Sequence, residues 1–167
     1  MSVHVRPELA DLRQRMRDFI DGEVVACEPV LAAHDAAAEA RLEELKAEAK
    51  RRDLWALGHP AEIGGGGLPF MDFVYLNEII GRSEWGQVAV GSVSMQDSIM
   101  LHRYASGGQR ERFLKPLVNG EVYPSVGLTE PDAHDGGARW RRVGHQRAQV
   151  VHHGRAPCRV HDGVRDD

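Results

Sequence analysis

Cysteine, aromatic residues and long apolar runs are all scarce in this chain. Its 167 residues include two cysteines, Cys27 and Cys158. Two such residues make no disulfide framework and suit a reducing compartment, so a cytoplasmic protein is expected. No apolar run approaches the ~20 residues that a membrane-spanning helix needs. The first turns are polar and charged rather than apolar, which argues against a secretory signal. Aromatics make up 6% of the residues, and paired Cys or His motifs at zinc-like spacing are lacking.

The largest absence is regional. From His134 to the last residue, Asp167, there is no Leu, Ile, Phe, Met, Tyr, Lys, Glu, Ser or Thr. Arg, His, Gly, Asp and Val replace them. Such a composition cannot bury enough apolar surface to fold, and residues 134–167 are expected to be a disordered, aberrant tail. Charge follows the same division. The chain carries -4 overall, with -7 on residues 1–133 and +3 on residues 134–167. The acidic front is a poor nucleic-acid binder. The arginines of the tail lack the interleaved aromatics or helical stripe that would make a nucleic-acid partner credible, so none is expected.

What is present lies before the break. Leu9, Leu12, Met16, Phe19 and Ile20 recur at helical spacing and predict a helix over residues 8–33, with Pro7 at a tolerated first position. Gly22 and Pro29 are positions where it would bend or divide. A second helix is predicted over 37–52, with Leu42, Leu45 and Ala49 on one face and Glu43, Glu44, Lys46 and Lys50 on a solvated one. Gly64-Gly65-Gly66-Gly67 must be a loop. A third helix is predicted over 70–81. A fourth, over 87–104, has few charges and many small residues, as suits a helix buried on several sides. Ser106 and Gln109 form a capping box for a fifth helix ending at Asn119-Gly120. Residues 122–128 have β character. The fold class is therefore mainly α: a helical domain over 1–120, the start of a β domain over 121–133, then the tail.

Several groups invite a chemical reading. The tetraglycine loop resembles a phosphate cradle in composition, yet it lacks the following Lys-Ser/Thr, and a helix connector explains it as well. His145, His152, His153, His161 and Cys158 lack ligand spacing, so no metal is expected. Glu78 and Glu84, either side of Gly81-Arg82, are candidates for acid–base work or simply a solvated helix face. Gly127-Leu128-Thr129-Glu130-Pro131 reads as a strand end that presents backbone amides and a hydroxyl, suited to a planar heterocycle or merely polar.

Taken in chain order, these segments resemble the acyl-CoA dehydrogenase family. Residues 55–67 are similar to its glycine-rich loop. Glu78-Ile79-Ile80-Gly81-Arg82-Ser83 resembles its E-x-x-G-R helix end. The run from Gln109 to Pro116-Leu117 resembles its Q-k-x-x-x-L-x-P-L stretch. Val126-Gly127-Leu128-Thr129-Glu130-Pro131-Asp132-Ala133 is similar to its flavin-binding signature.

The resemblance implies a helical N-terminal domain, a middle β domain and a C-terminal helical domain. It also implies FAD as cofactor, an acyl-CoA substrate, electron-transfer flavoprotein as redox partner, a homo-oligomer when complete, and a place in fatty-acid metabolism. It implies that Val126, Leu128 and Thr129 touch the flavin, and that Ser92, Met95 and Gln96 lie on the helix lining the acyl pocket. After the signature the family carries Gly-Ser-Asp where this chain has His134-Asp135-Gly136. No residue here stands in the place of the family's catalytic base, so no catalytic residue is assigned.

The tail has a genetic explanation. Synonymous codons for residues 134–167, read one base later, can yield a peptide containing DGDEWVINGRKWFTTGA, which resembles the family's next β-domain segment. Val143-Gly144-His145-Gln146 written GUG GGU CAU CAA, for instance, opens Trp-Val-Ile-Asn once shifted. Gln149 permits only Lys or Arg in that frame, and Lys is what the resemblance calls for. A frameshift near codon 133 is the expected cause, against a genuine basic tail. Two readings of function follow: a truncated acyl-CoA dehydrogenase, inactive alone and binding FAD weakly or not at all, or a non-enzymatic helical fragment for binding or oligomerisation.

Overall fold

Pro7 lacks an N–H and has a φ already suited to a helix, and it opens the first helix as a short 3-10 turn, Pro7–Leu9. The rod continues as α1 (Ala10–Phe19), a π segment (Ile20–Val24) and α2 (Val25–Leu31). Gly22 and Pro29 do not divide it. Instead the hydrogen-bond register relaxes around Gly22, where the Val25 N–H reaches back to the Ile20 carbonyl, and α2 then carries Pro29 to its end. These coordinates are a computed structural model, which describes residues 6–125.

Asp35 accepts from the Ala38 N–H at 2.9 Å and starts α3 (Ala36–Arg51), whose last turn carries Lys50 and Arg51 against the helix dipole. The predicted solvated face holds for Glu43, Glu44 and Lys50, but Lys46 is buried. Its ammonium has a destination instead of solvent, described below.

The chain then passes through the glycine-rich loop, with a 3-10 turn at Ala61–Ile63, into α4 (Phe70–Ile80). Phe73, Leu76, Ile79 and Ile80 of α4 join Met16, Phe19, Ile20, Val24, Leu31, Leu45 and Leu54 in one apolar core. Each such side chain contributes on the order of 1.5–3 kcal/mol by leaving water. Charged groups stitch the seam between α1 and α4. Arg6 pairs with the buried Asp72, and Arg13 bonds both the Tyr75 carbonyl and Glu78.

The helix predicted over 87–104 is two helices, α5 (Gly86–Ala89) and α6 (Met95–Tyr104). Gly91 breaks it with φ +66°, and a Cβ there would sit 2.6 Å from the Trp55 ring. Nor is α6 buried on several sides. Ser98 is its one buried residue, while Met100 and Tyr104 are exposed. Its small polar residues have a different cause: Ser92 and Ser94 are buried in the turn before it.

The predicted capping box is present, with Ser106 accepting from Gln109 N–H and the Gln109 side chain accepting from Ser106 N–H. It opens a second continuous rod made of α7 (Gly107–Gln109), a π segment (Arg110–Leu114) and α8 (Lys115–Asn119). Gly120, at φ +76°, ends the rod. The described residues up to Pro124 belong to one compact unit and are mainly helical, with no strand among them. The predicted strand carries no β pairing over residues 122–125. Its remainder lies outside the described residues, with Val126, Leu128, Thr129 and the tail.

Candidate functional site

Two neighbouring features sit where the sequence predicts chemistry: the glycine-rich loop and the start of α6. The loop closes on itself. Gly64 N–H bonds the Ala61 carbonyl, Gly65 the Pro60 carbonyl, Gly66 the Ala56 carbonyl and Gly67 the His59 carbonyl, at 2.9–3.0 Å. All four glycine donors are therefore spent inside the loop. A phosphate cradle needs such amides free and convergent, so this loop is a connector. Its glycines serve close packing instead. A Cβ on Gly65 would strike the His59 backbone, and one on Gly66 would come within 2.8 Å of Leu57.

Between the loop and α6 lies a cleft of about 300 Å³. Leu68, Phe70, Met95 and Ile99 give it an apolar wall, and Glu62 stands at its exposed side. Met95 thus takes a wall position. Gln96 is exposed on the same helical turn but does not line this cleft. Ser92 is neither on the helix nor in the wall. It is buried in the turn that begins at Gly91, and its hydroxyl donates to the Gln87 carbonyl at 3.3 Å. The structure therefore brings Met95 to a ligand-sized space and gives Ser92 a turn-holding role.

Of the carboxylates weighed for acid–base work, Glu78 is spent on structure, and Glu84 is held through its backbone N–H rather than its carboxylate. Glu78 forms an exposed ion pair with Arg13 at 3.3 Å. Arg82 pairs with Asp21 at 2.9 Å. The Ser83 hydroxyl donates to Glu28 at 2.6 Å, and the Glu84 N–H donates to the same oxygen at 3.3 Å. The E-x-x-G-R-S segment accordingly fastens the end of α4 to the first rod.

Two residues escaped the sequence reading. His59 is fully buried and contacts the Gly91 carbonyl at 2.8 Å through Nε2. Burial lowers its pKa, a tendency that the Gly91 bond only partly opposes. Lys46 reaches Glu43 at 2.5 Å, the Gly120 carbonyl at 3.3 Å and the face of Tyr123. Burial alone would depress its ammonium, but the bonds to Glu43 and Tyr123 outweigh this and raise its pKa. Lys50 donates to the Asn119 carbonyl at 2.8 Å, and Trp55 Nε1 to the Val118 carbonyl at 2.9 Å. Three consecutive carbonyls at the end of α8 are thus capped from α3 and the residues after it. This clamp fixes the position of Gly120, where the second rod ends. The Gly-His-Pro sequence at residues 58–60 was the one available signal for His59. Nothing in sequence marks Lys46, because its neighbours look solvated.

Among the described residues no group of three or more His, Cys, Asp or Glu is arranged to hold a metal. The histidines and Cys158 of the tail lie outside them. No helix among the described residues is long and apolar enough to cross a membrane.

Comparison with known proteins places these features in a family context. The sequence profile of the acyl-CoA dehydrogenase N-terminal domain matches residues 6–121. The chain is similar to acyl-CoA dehydrogenase family member 10 of Mus musculus, with 30% identity over 137 residues, covering 75% of this chain and 13% of that protein. It is similar to the Mycobacterium tuberculosis protein named probable acyl-CoA dehydrogenase FadE2, with 31% identity over 139 residues, covering 77% of this chain and 33% of the relative. A solved structure from Mycobacterium abscessus, described as an acyl-CoA dehydrogenase, superposes with a TM-score of 0.68 at 32% identity. It covers 78% of this chain and 36% of that one. The chain spans no more than about a third of the length of these curated relatives.

Proposed function

We propose, on the premise that this chain belongs to the acyl-CoA dehydrogenase family, that it carries the helical part of an FAD-dependent enzyme which dehydrogenates an acyl-CoA thioester between Cα and Cβ. The observation that carries the reading is the order of joints along one scaffold. The self-closed loop, the fastened end of α4, the Met95 cleft and the capped end of α8 lead in sequence to Val126-Gly127-Leu128-Thr129. In this reading Val126, Leu128 and Thr129 would hold the flavin ring, with the Thr129 hydroxyl and backbone amides as donors. Bound FAD would supply the hydride acceptor, as cofactors carry such chemistry and proteins position it. Met95 would bound the acyl group, with Gln96 beside it. Electron-transfer flavoprotein would take the electrons, and the complete enzyme would be a homo-oligomer.

In this reading residues 134–167 do not complete that site. The signature is followed by His134-Asp135-Gly136 where the family carries Gly-Ser-Asp. We attribute this to a frameshift near codon 133, a reading supported by the family-like peptide that synonymous codons for residues 134–167 can yield one base later. The isolated chain is then inactive and holds FAD weakly or not at all. Purified protein supplied with FAD, an acyl-CoA and a dye acceptor is expected to remain colourless after desalting and to reduce no dye. A yellow, dye-reducing protein would overturn this. Sequencing the gene tests the cause: a reading frame without family-like sequence beyond codon 133 rejects the frameshift.

One observation favours a second reading, a non-enzymatic helical fragment. The core of the unit is closed by its own residues, yet Phe70, Met71, Met100 and Tyr104 remain exposed. Exposed apolar groups of this kind favour association. Light scattering with a flavin absorbance scan separates the two: a colourless, defined oligomer favours the fragment.

A further inference from the structure

We propose that His59 is an acid-released latch that fastens the glycine-rich loop to the Gly91 turn from which α6 starts. A carbonyl only accepts, so the 2.8 Å contact with Gly91 requires the hydrogen on Nε2. Nδ1 is then a bare lone pair, and it is buried with no hydrogen-bond partner among the described residues. The neutral ring fits this site. A second proton would place both an unpartnered N–H and a positive charge in the core, which is strongly unfavourable.

The backbone makes the ring a latch rather than a core filler. The His59 carbonyl accepts from Gly67 N–H at 2.9 Å, and its own N–H donates to Ala56 at 3.0 Å. Ala56 N–H in turn donates to Val90 at 2.8 Å. The loop therefore docks on residues 90–91 through two bonds, one from Ala56 and one from the imidazole. Met95, four residues past Gly91, forms one wall of the neighbouring cleft. Loss of the latch frees both sides of that cleft.

Among the described residues no charged side chain competes for the ring. On α4, Asp72 is paired with Arg6, and on α3, Lys50 is bound to the Asn119 carbonyl. Glu62 of the loop is exposed, and Asp97 sits half-buried in the first turn of α6. The influences on the ring are burial first and the Gly91 carbonyl second, with a net lowering of its pKa. An unfolded histidine takes its proton near pH 6.5; the folded one does so only at lower pH. The stabilisation is thus complete above about pH 6.5 and fades as the pH falls toward the folded ring's value.

The test uses the full chain. Nitrogen NMR of the imidazole should show the Nε2–H tautomer persisting below the ordinary histidine value of 6.5, with amide exchange at Ala56 and Gly67 accelerating as the ring finally protonates. Urea unfolding at about pH 7.5 and about pH 5 should give a folding constant that drops with the depression of proton affinity, to a limit of about thirtyfold set by the unfolded ring. In His59→Gln, which keeps a donor for Gly91 without titrating, that drop should shrink. A ring titrating near its ordinary value, or equal pH dependence in both proteins, overturns the latch. Should His59→Gln fail to fold, the tautomer and exchange measurements on the unaltered chain decide alone, and exchange that ignores the ring's titration rejects the proposal.

Discussion

Helices α4 and α6 are of nearly equal length, 11 and 10 residues, and both carry family-like sequence, yet they are used in opposite ways. Five residues of α4 are buried, and its charged ones are bonded to the first rod. One residue of α6 is buried, Met95 and Ile99 face the cleft, and Met100 and Tyr104 face the surface. A motif is therefore no guide to chemistry by itself. The E-x-x-G-R-S residues at the end of α4 are fasteners, whereas the less conspicuous α6 has side chains left over for a ligand or partner.

Removing core from the α4 side should have the largest effect. Phe19→Ala, at a fully buried site against α4, is expected to lose about 3–5 kcal/mol in urea unfolding. A loss comparable to that of a surface change would mean the core is not where this contrast puts it. Next comes the joint between the two regions. Gly91→Ala must adopt a positive φ and meet the Trp55 ring, and should cost about 1–3 kcal/mol with a shift in tryptophan fluorescence. An unshifted spectrum at full stability would show that the turn tolerates a side chain.

Smaller effects test the fasteners. Ser83→Ala deprives the Glu28 carboxylate of its hydroxyl partner and should cost about 1–2 kcal/mol, without any substrate present. Glu78→Gln touches only an exposed pair and should cost no more than about 0.5 kcal/mol. The smallest stability change belongs to α6. Tyr104 is 80% exposed, so Tyr104→Ser should stay within about 0.5 kcal/mol while lowering self-association by light scattering. Unchanged association would move the adhesive surface away from α6.

Much of the scaffold was legible in the sequence because its signals are local. Pro7, the Ser106–Gln109 box and Gly120 each act within one turn of chain, and the apolar spacing of α1 and α4 reports one continuous face. What escaped depends on distant partners. Gly91 looked acceptable inside a helix until Trp55 and His59 were seen to hold its turn. Lys46 looked solvated because its receivers, Gly120 and Tyr123, lie more than seventy residues away. Pro29 looked disruptive by itself, yet it lies in the last turn of α2 and does not divide it. At the site, Met95 lies beside a cleft, while Ser92 stands before α6 rather than on it, since serine spacing does not announce a glycine break.

The cap on the end of α8 has a consequence for how this polypeptide is born. Lys46, Lys50 and Trp55 wait on an early part of the chain for carbonyls that complete at Gly120. Domains fold as units, N-terminal first, while synthesis continues. Once residues up to Pro124 have left the ribosome, every partner needed to close this unit is in hand. Any change beyond codon 133 would therefore arrive too late to spoil the fold of this unit. Cellular quality control would meet a finished domain that displays an unpaired apolar surface, rather than a chain that never folded.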